Sequence, residues 1–172
     1  MWSGIEDSLS ICVVDTNLLI DLYFGKIIVP FFALPYAFIA PDVIIAELKS
    51  IDCSILIRLG LQKYELTGKQ VQKVLQFRAQ HRQLSVNDLF ALVTAQSLSA
   101  MLLTGDKNLR TLAEQNKIST HGTRWVLDEM VTIKVISPLQ AAEALKLLCE
   151  KGSRLPIDEC NHRLKSWLDK DQ

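Results

Sequence analysis

The chain has 172 residues, is 49% hydrophobic and 22% charged, and carries a formal net charge of zero with a pI near 6.8. That composition supports one folded domain with room for a small appendage, and it excludes a disordered chain. Neutrality excludes a protein that grips nucleic acid through a broad basic field, while leaving space for a local basic patch.

The first strand signal is the apolar run Ile11 to Val14, which ends in Asp15-Thr16-Asn17 and so reads as a buried strand entering a capped helix over Leu18 to Phe24. Ile27 to Ala40 is ambiguous, with a short strand expected near Ala37 to Ala40. Pro41 and Asp42 suit the first turn of a helix reaching about Ser50. Ile51 to Leu61 reads as helical, Lys63 to Leu66 as a short strand, and Thr67 to Arg82 repeats apolar residues at helical spacing. Ser85 followed by Asp88 is close to a capping box, and the helix beyond it, Leu89 to Leu98, is apolar nearly all round and therefore central.

Ala100 to Thr104 reads as a second buried strand, turned by Gly105-Asp106 into a helix over Lys107 to Asn116. A strand is expected at Ile118 to Thr120 and a helix around Arg124 to Met130. Val131 to Ile136 is β-branched and reads as strand or loop. Ser137-Pro138 opens one C-terminal helix, closed by Gly152, and Ile157, Cys160, Leu164, Trp167 and Leu168 form the stripe of a last one. Short buried strands alternating with helices predict an α/β fold: three α/β/α layers around a short, mostly parallel sheet, with the site beyond the carboxyl ends of its strands. Residues 1–136 form the expected main domain, and 137–172 an extra helical extension packed on it.

The four cysteines are scattered without a C-x-x-C, which favours reduced thiols, and the three histidines show no ligand spacing. The N-terminus lacks the positive region of a signal peptide, and the longest uncharged apolar run, Ile27 to Pro41, is shorter than the roughly 20 residues of a membrane span. A cytoplasmic protein without a membrane partner is the expectation.

Four acids stand beside apolar elements: Asp15 and Asp106 at strand ends, Asp88 at the start of the buried helix, and Glu47 on a helix face after Val43 and Ile44. Singly, Asp15 and Asp106 read first as helix caps, and Asp88 can be read as completing a capping box. Together, four unpaired carboxylates repel one another unless a cation intervenes, and a hard divalent ion such as Mg²⁺ or Mn²⁺ resolves that conflict. Such an ion acidifies a bound water and neutralises charge developing on a phosphodiester.

These segments resemble the PIN-domain nuclease family. The resemblance is carried by Val13-Val14-Asp15-Thr16-Asn17, Pro41 to Leu48, Ser85 to Asp88 with Ala91 and Ala95, and Leu102 to Arg110, with the acids separated by 32, 41 and 18 residues. Within the family the chain is similar to prokaryotic members, including the VapC-type toxins of toxin–antitoxin pairs. The resemblance implies a metal-dependent endoribonuclease holding Mg²⁺ or Mn²⁺ through Asp15, Glu47, Asp88 and Asp106, with Asn17 and Thr104 in support. It implies an RNA substrate and, for a toxin, an antitoxin partner; a homodimer is a further expectation, with Phe31 to Phe38 one candidate contact.

Lys49, Lys107, Arg110 and Arg124 are candidates to meet phosphates, although each taken singly reads first as solvated surface charge. Two rival classes stay open. One is a non-catalytic RNA-binding or complex-forming protein that kept the acids. The other is an aspartate-nucleophile phosphatase, disfavoured because the third residue of its D-x-D pattern is Asn17 here.

Overall fold

A computed structural model of the chain describes residues 9–152 and 157–169. Among these residues five strands form one sheet in the order β3-β2-β1-β4-β5: β1 (Ser10–Val14), β2 (Tyr36–Pro41), β3 (Gln62–Tyr64), β4 (Met101–Leu103) and β5 (Thr120–His121). All four pairings are parallel. In the central strand β1, Cys12, Val13 and Val14 are wholly buried, as a strand covered on both faces requires.

The helices are α1 (Thr16–Phe24), α2 (Ile28–Phe31), α3 (Asp42–Glu47), α4 (Cys53–Leu59), α5 (Gly68–Gln80), α6 (Val86–Ser97), α7 (Lys107–Gln115), α8 (Thr123–Thr132), α9 (Pro138–Glu150) and α10 (Ile157–Asp169). The steps β1 to β2 and β3 to β4 run in opposite directions across the sheet, so right-handed crossovers put their helices on opposite faces. On one face α6 packs on β1, β2 and β4 and is backed by α5. Its Leu89, Ala91, Leu92, Val93, Thr94 and Ala95 are all buried, which accounts for its apolar circumference. The second group, α1, α2, α8 and α9, is in mutual contact. Ala141, Ala142, Ala144 and Leu145 of α9 belong to the same core as β1.

Several boundaries differ from the sequence reading, each for a local reason. The ambiguous stretch after Ile27 divides into short α2 and β2. The rings of Phe31 and Phe38 lie 4.1 Å apart and both residues are buried, so this stretch packs inward. Pro41 closes β2 and caps α3 rather than lying inside the helix, and α3 stops at Glu47, with Leu48 at ψ 83° leaving helical geometry. The β-branched run at Val131 opens as the last turn of α8, since Met130 and Ile136 must both be buried; Lys134 makes the turn between them at φ 63°. The final strand is shifted to Thr120–His121.

The four cysteines are free thiols, with Cys149 and Cys160 Sγ 3.6 Å apart. Among the described residues no helix is long and apolar enough to cross a membrane.

Candidate active site

The strand order reverses between β1 and β4: the chain builds outward from β1 to β3, then returns to add β4 and β5 on the other side. At such a reversal the connections leave in opposite directions and open a crevice at the carboxyl ends of the two strands. Asp15 directly follows β1, and Thr104 to Asp106 directly follow β4. The Asp15 amide donates to Leu103 O at 3.1 Å, which locks the two strand ends side by side.

Asp15 is only 2% exposed. Its Oδ1 accepts from the Leu18 amide at 2.8 Å, capping α1, and its Oδ2 accepts from the Thr104 hydroxyl. Burial pushes its carboxyl up to about 7; the hydrogen bonds from Thr104 and Leu18 oppose the shift, and the charges of Asp88 and Asp21 add to it. Among the described residues no positive charge offsets that shift.

Thr104 is the hinge of the arrangement. It is fully buried, and its Oγ1 both donates to Asp15 and accepts from the Asp106 amide at 3.0 Å. Asp106 in turn caps α7, its Oδ1 accepting from the Leu109 amide at 2.8 Å. Thr104→Val keeps the shape of the side chain but strands a buried carboxylate oxygen and an amide. It is expected to cost about 1–3 kcal/mol, with Thr104→Ser close to wild type, as urea unfolding would measure.

Glu47 reaches the site from the end of α3. It is exposed, and its Oε2 accepts from the Thr16 hydroxyl at 2.9 Å and from Asn87 Nδ2 at 2.7 Å. It is therefore tied to the residue after Asp15 and to the residue before Asp88. Asp88 is half-buried as the third residue of α6, where its Oδ2 accepts from the Ser85 amide at 2.8 Å in a full capping box. Asn17 is exposed, and among the described residues no hydrogen bond joins it to the four acids. Sequence reasoning misses Thr16 and Asn87. Half-buried polar residues at a helix start carry no periodic signal, and only their positions next to acids hint at them.

The structure thus links Asp15 to Asp106 through Thr104, places Asp88 within electrostatic reach of Asp15, and holds Glu47 beside both. It does not close them into a cage: among the described residues no three acidic, histidine or cysteine side chains converge closely enough to enclose a cation. The donor chemistry fits a hard cation all the same. Every donor is a carboxylate oxygen with lone pairs beyond those used in capping, and the buried Asp15 is destabilised as an anion.

The domain is thus an all-parallel α/β sheet with Asp15 and Asp106 following the two strands at its switch point. The chain belongs to the PIN-domain family: the family model described as DUF3368: PIN domain matches residues 11–168. Among solved structures it is similar to a PilT N-terminus domain protein, SSO1118, from the hyperthermophilic archaeon Sulfolobus solfataricus P2, at 16% identity and a TM-score of 0.48 over 70% of this chain and 93% of that one. It is likewise similar to PAE2754 from Pyrobaculum aerophilum, at 16% identity and a TM-score of 0.49 over 72% and 98%. No curated protein matches the chain.

Proposed function

We propose that the chain is a Mg²⁺- or Mn²⁺-dependent endoribonuclease whose cation is held by Asp15, Glu47, Asp88 and Asp106, directly or through water. The observation that carries this reading is Asp15: a buried carboxylate at the switch point, raised by burial and by neighbouring acids, with its geometry fixed from two sides. A bound cation supplies Lewis-acid charge at the phosphodiester and lowers the pKa of a water. The chain's own part is positioning. Thr104 and the Leu18 amide hold Asp15 in one rotamer, the α7 cap holds Asp106, and Thr16 with Asn87 aim Glu47. Prearranged charge of this kind costs no reorganisation when the reaction occurs.

The narrower form of the reading is a toxin, with a small antitoxin or a second copy of the chain as partner. Co-purification with the product of a neighbouring gene tests it. A second reading has one observation in its favour: the four acids do not converge on a common point. Under it the domain binds RNA or a protein complex without cutting.

Both readings meet the same experiment. Purified protein is incubated with structured RNAs and single-stranded DNAs in Mn²⁺ or in EDTA, beside the double variant Asp15→Asn/Asp106→Asn. Metal-dependent cutting of RNA that the variant loses supports the nuclease. Binding without cutting by wild type in Mn²⁺ supports the second reading, and preference for DNA corrects the substrate.

A further inference from the structure

Arg110 lies on α7 four residues beyond Asp106, the cap of that helix. Its Nη2 donates to the Thr104 carbonyl at 3.1 Å, and its Nε is buried without a hydrogen-bond partner. Among the described residues no carboxylate stands within ion-pair distance of it. A half-buried guanidinium without a carboxylate is costly, so charge pairing does not account for its place.

Gly122, in the turn from β5 into α8, explains how the guanidinium fits. A β-carbon there would lie 2.6 Å from Arg110 Nη2 and 3.4 Å from the Thr104 carbonyl oxygen. The backbone of Gly122, at φ −111° and ψ −176°, is one any residue adopts. Glycine is therefore required for space, not for conformation. On its other side, the Thr104 amide donates to His121 O at 2.8 Å. Thr104 is consequently held at its amide, its carbonyl and its hydroxyl, and the hydroxyl is the group that orients Asp15 and the Asp106 amide.

We propose that Arg110 is a positioning residue: seated in the space that Gly122 leaves, it fixes the Thr104 peptide and, through it, sets Asp15 and Asp106 toward the cation. The cation rests on the nuclease reading; the coupling from Arg110 through Thr104 to the two acids does not.

Gly122→Ala is the informative variant. It removes no donor, and the only atom it must displace is the end of a flexible side chain, so the fold survives while the guanidinium moves. Gly122→Ala and Arg110→Ala are each expected to weaken Mn²⁺ binding, measured by calorimetry, about tenfold, the range seen when groups that orient metal ligands are removed. The double variant should be no worse than either alone, since both disturb one contact. In EDTA, hydrogen exchange at the Asp106 and Leu18 amides should lose protection in each variant while the rest of the sheet keeps its own.

Unchanged protection at those two amides in a folded Gly122→Ala protein overturns the proposal, and so do additive losses in the double variant. Should Arg110→Ala fail to fold, Gly122→Ala decides alone. A wild type that binds no Mn²⁺ overturns the nuclease reading, and the exchange arm still decides the role of Arg110.

Discussion

Asp15→Asn is expected to lower Mn²⁺-supported RNA cleavage by about 10²–10³-fold, the loss that follows removal of one prearranged charge-stabilising group. The amide matches the carboxyl in volume and can still accept from the Leu18 amide, so α1 keeps its cap. It carries no charge, and its nitrogen cannot accept the Thr104 hydroxyl as Oδ2 does. Retention of uncut RNA on a filter in EDTA should be the same for the variant and the wild type. A variant that cuts at the wild-type rate with a wild-type metal requirement would remove Asp15 from the chemistry and leave it as a helix cap.

The second large effect is on stability, and its sign follows from the same carboxyl. Asp15 titrates at about 7 in the folded chain against an ordinary value of 3.8, chiefly because it is buried. The folded state therefore holds a proton that the unfolded chain releases. The stability tied to this group is fully present below about pH 4 and is lost as pH rises through about 7. At 1.36 kcal/mol per unit of pKa the whole difference is roughly 4 kcal/mol.

Urea unfolding in EDTA should accordingly show wild type losing stability between about pH 4 and pH 7 relative to Asp15→Asn, which lacks the titrating group. A divalent cation favours the ionised form, so the stabilisation given by Mn²⁺ should grow over the same interval. Parallel curves for the two proteins in EDTA would mean that solvent reaches Asp15 in solution.

Part of the site is legible in the amino-acid sequence. Asp15 and Asp106 can be placed because an apolar run followed by a polar turn marks a strand end, and in a parallel sheet strand ends meet. Asp88 can be placed because its capping box is local. Glu47 reads from the sequence as part of a longer helix with Val43 and Ile44. In the structure the helix stops at Glu47, and the side chain turns toward Thr16 and Asn87. Those two residues are separated from it by 31 and 40 positions, and no local rule connects them.

The seat of Arg110 is hidden for a similar reason. It depends on a missing β-carbon at Gly122, which becomes adjacent only once β5 pairs with β4. The β-branched run after Met130, read as strand or loop, forms the end of α8 and then a turn, because strand preference records fit to a half-buried pleated surface and no such surface is on offer here.

The central position of β1 has a consequence for the newborn chain. Its pairing with β2 needs only the crossover through α1 and α2, whereas its other edge waits for residues Met101 to Leu103. Until Asp106 of the 172 residues has left the ribosome, Cys12 to Val14 present an open, apolar strand edge and the acids have no common crevice. Synthesis from the N-terminus thus delays assembly of the site. On the proposed reading, an enzyme that cuts RNA stays inert until the segment carrying β4 and Asp106 has been made.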